Sequence, residues 1–157
     1  MLKINPHKQS PSCCGPSSLK MVAEYYGIKK SEKELARLSG CTLERGTTGE
    51  GLLRCGKKIG LKGFMKDFAD INDIRYYVLR KKIPVIVDWF SQSDVSDGHY
   101  SIVVHIDNKK IYLVDPEFGE IRSHNIDDFK RVWFDFDVLF LRSRKDLIIR
   151  RMIVLYK

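Results

Sequence analysis

No stretch of this 157-residue chain approaches the roughly 20 consecutive apolar residues that a membrane span requires. The N-terminus, MLKINPHKQS, also lacks an apolar run that would form the core of a signal peptide. The chain therefore reads as soluble and cytoplasmic, with no stable membrane insertion. Cysteine is scarce: four residues, at 13, 14, 41 and 55, two of them adjacent. That spacing suits neither a small disulfide framework nor the paired CxxC of a zinc site, so no metal and no cofactor are expected. Internal repeats, low-complexity segments and linkers are lacking too. The length suffices for one sizeable core but not for two ordinary domains, which gives a single domain over 1–157. Charge is unbalanced, with 28 Lys and Arg against 20 Asp and Glu and a net +8, but no basic block is present. The excess reads as a soluble basic surface and not as a nucleic-acid interface.

What is present falls into two halves. Leu19, Val22, Ala23 and Tyr26 lie at helical spacing over 17–26, stopped by Gly27. Ser31-Glu32-Lys33-Glu34 has the form of a capping box for a helix through Leu38, closed by Gly40. Thr47 and Glu50 repeat the arrangement ahead of Leu52, Leu53 and Ile59, ending at Gly60. Beyond Leu61 the apolar residues come in short runs rich in β-branched and aromatic types. Strands are expected at 84–90, 99–106, 111–115 and 138–141, with weaker candidates at 61–66, as an edge strand, and 120–123. A helix at 70–82, ended before Pro84, and another at 126–133 interrupt them. The tail, 147–155, fits a strand or a short helix and is taken as one strand. Helices first and an antiparallel sheet afterwards make an α+β fold.

Cys14 is the residue with the most chemistry in it. Only a thiolate is a good nucleophile, and Cys14 stands where Gly15-Pro16 opens a helix, so the positive end of the helix dipole falls on its sulfur. Gly15 would let a substrate backbone approach closely. Gln9, five residues upstream in a Ser- and Pro-containing loop, would donate beside the sulfur and, with the Cys14 N–H, form an oxyanion hole. Cys41 and Cys55, beside apolar helix signals, read as core residues. Gly46-Thr47-Thr48-Gly49 reads either as a cleft wall or as a turn and helix cap.

A base and its orienting carboxylate are supplied by two consecutive strands. His99 begins one and Asp115 ends the next, which puts them at the same end of a hairpin. His105, about 20 Å further along an extended strand, cannot serve the same cysteine and reads as structural. Parity decides the pair. A symmetric loop centred on Asn108-Lys109 would pair Asp115 with Ile102 and turn it away from His99, whereas an odd loop or a bulge brings both to one face. A three-residue loop, Asp107-Asn108-Lys109, is the expected solution.

Taken in order, Gln9, then 14–27 (CGPSSLKMVAEYYG), 46–52 (GTTGEGL), 84–89 (PVIVDW), Gly98-His99-Tyr100 and Val114-Asp115-Pro116 resemble the peptidase C39 and C39-like domains over about 9–141. That resemblance implies a papain-like fold, a Cys14–His99–Asp115 triad and Gln9 in the oxyanion hole. It also implies a peptide or protein substrate, with double-glycine leader peptides as the family's best-known class, and a separately encoded ABC exporter as partner. Two other functions stay open: a C39-like module that binds peptides without cutting them, and an acyltransferase that passes the thioester to an amine or thiol.

Overall fold

The computed structural model describes residues 1–91, 97–136 and 140–157. Three helices come first: α1 (Cys14–Tyr25), α2 (Glu32–Ser39) and α3 (Gly49–Lys58). Cys14 is the first residue of α1, and Pro16 occupies the first turn, where its missing N–H costs nothing. Ser31 caps α2 by accepting from the Glu34 N–H at 3.2 Å, and Gly40 closes it in the left-handed conformation. The reciprocal half of the expected box is not among its bonds, since the Glu34 carboxylate takes the Lys30 ammonium at 2.7 Å. The cap of α3 is Thr48 and not Thr47; its hydroxyl accepts from the Gly51 N–H at 3.1 Å.

The remaining elements are β1 (Lys62–Lys66), α4 (Ile71–Arg75), β2 (Val85–Ser91), β3 (Asp97–Ile106), β4 (Lys110–Asp115), β5 (Glu120–Asn125), α5 (Ile126–Val132), β6 (Phe134–Phe136), β7 (Leu147–Ile149) and β8 (Arg151–Tyr156). The helix expected at 70–82 is α4, continued as a π-helical segment, Tyr76–Lys81, that ends on Lys82 in the left-handed region just before Pro84. Six strands form an antiparallel sheet in the order β1-β8-β2-β3-β4-β5, and β6 pairs with β7 in a second, two-stranded sheet. The fold is α+β, with β1 and β5 at the edges.

The tail departs from its expected single strand. Arg150, at φ 47°, breaks it into β7 and β8, so β7 goes to the small sheet and β8 enters the large one between β1 and β2. Met152, Ile153, Val154 and Leu155 are all buried, as befits a strand covered on both faces, where an apolar run replaces alternation. Of the strand expected at 138–141, residues 138 and 139 lie outside the described residues and Phe140 and Leu141 are not in a strand; β6 was not anticipated.

The β3–β4 hairpin has a two-residue turn, not the expected three-residue loop: the Asp107 N–H donates to the Lys110 carbonyl across Asn108-Lys109. The shift of register comes from a bulge. Ile106 pairs with Ile111 and His105 with Tyr112, but Val103 pairs with Leu113 and Ile102 with Val114, which leaves Val104 as an extra residue in β3. Continuing that register sets Asp115 opposite Ser101, diagonal to His99 and on the same face.

Candidate active site

The bulge delivers its result at one end of the hairpin. His99 is 6% exposed and Asp115 fully buried, and His99 Nε2 lies 2.7 Å from Asp115 Oδ1. An ionised carboxylate only accepts, so the Nε2–H donates to Asp115, which leaves Nδ1 for another partner, and Cys14 lies within electrostatic reach of the same imidazole. Burial would lower the His99 pKa, but the bond to Asp115 and the nearby Cys14 outweigh it and the imidazolium is pushed up to about 10. Burial would conversely raise Asp115. The His99 bond and charge, the Glu117 N–H at 3.1 Å and Arg122 Nη1 at 3.2 Å instead hold its carboxyl below the ordinary range.

Trp89 fixes the ring from the side. It is the cross-strand partner of His99, meets it edge-on at 5.8 Å, and is itself pinned by donating from Nε1 to the Ser101 hydroxyl at 3.0 Å. Phe129 of α5 also packs against the indole, at 6.0 Å between ring centres. The base thus has little freedom to leave its line between sulfur and carboxylate.

Cys14 is half-buried at the start of α1, and the Cys13 side chain makes no capping bond there. The helix dipole is therefore directed at the Cys14 region without an intervening side-chain acceptor from Cys13. Cys13 itself is a different kind of thiol. Burial, then the neighbouring Cys41 and Glu32, push it up to about 12. Cys41 is not the core residue expected from sequence; it is half-buried and donates to the Ser12 carbonyl at 3.3 Å. Cys55 is in the core. Gly15 does not open a path for substrate either: it is buried, and a Cβ there would press on Leu52 and on the Thr47 side chain.

Gln9 is tethered next to the acid. Its N–H donates to the Pro116 carbonyl at 2.8 Å, one residue beyond Asp115, and its Oε1 is buried with no hydrogen-bond partner. His105 lies against Tyr112 at 5.3 Å, apart from this cluster. Among the described residues, the one group of potential metal ligands close enough to share an ion is His99, Asp115 and Glu117. The Asp115 oxygens there are already engaged by the imidazole, the Glu117 N–H and a guanidinium, so the donor set is that of a hydrogen-bonded base.

Two contributors were missed in the sequence. Arg122 reaches Asp115 from β5, two residues beyond Glu120, its cross-strand partner, and stacks its guanidinium on Phe118 at 4.2 Å. Pairing 120–123 back on 111–115 across the Pro116–Gly119 turn would have found it. Asp88 of β2, a carboxylate inside the apolar run PVIVDW, is 1% exposed and lies within electrostatic reach of Cys14. A charged residue in a continuous buried-strand pattern was the available signal.

The sequence pattern of the peptidase C39 family matches residues 4–146. An uncharacterized protein of Methanothermobacter marburgensis is 32% identical over 135 residues, 85% of this chain and 84% of that protein. The peptidase domain of Streptococcus ComA, a bi-functional ABC transporter involved in quorum sensing, superposes with a TM-score of 0.73 at 23% identity, over 99% of this chain and 98% of that one. A double glycine motif protease from an AMS/PCAT transporter, solved in complex with the leader peptide, gives 0.70 at 17%, over 99% and 92%.

Proposed function

Since this chain belongs to the peptidase C39 family, we propose that it is a cysteine peptidase with Cys14 as nucleophile, His99 as general base and then acid, and Asp115 as the group that orients His99. The observation that carries the reading is the buried His99–Asp115 bond of 2.7 Å on an imidazole within electrostatic reach of Cys14, the first residue of a helix. In the mechanism, His99 takes the thiol proton and the Cys14 thiolate attacks the scissile carbonyl. The oxyanion is held by the Cys14 N–H and the Gln9 side-chain amide. His99 then protonates the departing amine, and water releases the acid from the thioester.

The likeness to a double glycine motif protease bound to a leader peptide supports a substrate of that class, a peptide cut after two glycines. The transporter context of both solved relatives, an ABC transporter in the case of ComA, supports a separately encoded ABC exporter as partner. No helix of the described chain is long and apolar enough to cross a membrane.

The test is incubation with synthetic leader peptides ending in Gly-Gly followed by a short cargo, with products read by mass spectrometry. Cleavage after the second glycine that disappears in Cys14→Ala and His99→Ala establishes the peptidase. Saturable binding without cleavage, together with slow alkylation of Cys14 that ignores His99→Ala, would replace it with a peptide-binding module.

A further inference from the structure

The loop that carries Gln9 is fixed residue by residue between the helices and the sheet. The His7 N–H donates to Met21 Sδ of α1 at 3.2 Å, and Lys8 packs against Gly119, where a Cβ would come within 3.0 Å of it. The Gln9 N–H is held from the sheet side, by the Pro116 carbonyl at 2.8 Å. The next N–H, that of Ser10, is held from the helical side: it donates to the carboxylate of Glu32 on α2, 3.3 Å from each oxygen. The Ser10 carbonyl accepts from the Cys13 N–H at 3.0 Å, which closes the turn leading into Cys14.

Glu32 is free for this contact because α2 does not need it as a cap; Ser31 already accepts from the Glu34 N–H. The Glu32 side chain, 12% exposed, lies back over the loop, with His7 Nε2 at 3.6 Å from one of its oxygens. A hydrogen bond to an ionised acceptor is about twice as strong as a neutral one. Gln9 is thus clamped at its own N–H and at the following one, and its buried Oε1 has no partner of its own to set the direction of the amide. We propose that Glu32 is a positioning residue for the oxyanion hole: by holding the Ser10 N–H it fixes how the Gln9 amide is presented beside Cys14. The proposal rests on the reading of Cys14 as nucleophile and Gln9 as oxyanion donor. A donor must meet the oxyanion at about 2.7–3.1 Å, so a small rotation of the loop loses the bond. The Glu32 carboxylate is committed to Ser10 and His7 and acts through Gln9, so its weight falls on kcat and not on KM.

The first readout needs no activity. In heteronuclear NMR spectra of the wild type, the Gln9 side-chain NH2 resonances stand apart from the free-glutamine position and the Ser10 amide is shifted downfield by its carboxylate acceptor. In Glu32→Ala both move to the positions of a free loop, whereas Glu32→Gln, which keeps an oxygen acceptor for Ser10, retains most of the displacement. Glu32→Asp, which keeps the charge but withdraws the oxygens from Ser10, gives the same result as Glu32→Ala should the latter melt early. The second readout compares cleavage of the double-glycine leader peptides with alkylation of Cys14 by iodoacetamide, a reaction that forms no oxyanion. Glu32→Ala is expected to lower kcat roughly ten- to thirtyfold, less than the loss of the donor itself, with KM and the alkylation rate unchanged. Glu32→Gln recovers most of kcat, and in a Gln9→Ala background Glu32→Ala costs nothing further. Gln9 resonances that ignore Glu32→Ala, an alkylation rate that falls with kcat, or a Glu32→Ala loss that persists in full without Gln9 overturns the proposal. Absence of cleavage in the wild type with the NMR displacement present sinks only the peptidase reading.

Discussion

The Leu2 N–H donates to the Val104 carbonyl at 2.8 Å, so the N-terminal segment holds the extra residue of the β3 bulge. Val104 is the residue whose insertion puts His99 and Asp115 on one face, and a bulge leaves its extra residue without a ladder partner. Leu2→Pro removes that donor and is expected to destabilise the protein by about 1–3 kcal/mol and to slow peptide cleavage. Leu2→Ala keeps the donor; its loss, about 2 kcal/mol of packing, is expected to show in thermal melts with Cys14 alkylation unchanged below the melt.

Asp115→Asn removes the charge that holds the imidazolium. The expected result is a fall in cleavage rate by roughly two to four orders of magnitude, with the deprotonation of the His99 imidazolium, at about 10 in the wild type, moving toward neutral pH. Titration of the His99 ring by NMR across pH 5–11 measures that shift separately from turnover.

The same pair makes stability depend on pH. His99 is raised from 6.5 to about 10, so its contribution is fully present below 6.5 and fades as pH rises through 10. Asp115 is held below 3.8, so its contribution is present above 3.8 and is lost on further acidification. The difference in Tm between the wild type and His99→Gln is expected to be largest near pH 4–6.5 and to shrink toward pH 10, as differential scanning calorimetry would show.

Arg122 is partly exposed, which discounts its ion pair with Asp115. Arg122→Gln is expected to cost about 1 kcal/mol of transition-state stabilisation, roughly fivefold in kcat/KM. Arg122→Lys, unable to stack on Phe118 in the same way, is expected to recover only part of it.

The adjacent thiols should part company under alkylation. At pH 7.5, limiting iodoacetamide followed by peptide mapping is expected to label Cys14 well before Cys13, whose thiol is pushed up to about 12. Cys13→Ser is expected to keep cleavage activity and Cys14→Ser to lose it.

The helices, most of the strands and the His99–Asp115 candidates were legible because each depends on near neighbours: a Ser or Thr cap, a closing glycine, a β-branched run, two strands joined by a short turn. Other features were not, because their causes lie far away in the chain. Thr48 displaced Thr47 as a cap by a shift no local pattern marks. Gly15 serves Leu52 and Thr47, not a substrate, because α3 packs against α1. Cys41 stayed half-buried beside Ser12, whereas its equally apolar surroundings in sequence pointed to the core.

By itself the sequence determined the α+β order and named Cys14, His99, Asp115 and Gln9, since residue type and helix or strand phase are local properties. It required that a loop or a bulge set the hairpin's parity but did not choose between them. Tertiary structure chose the Val104 bulge, whose carbonyl is satisfied by a donor about a hundred residues away at Leu2. It also drew β8 between β1 and β2, because strand order follows from packing the whole chain at once.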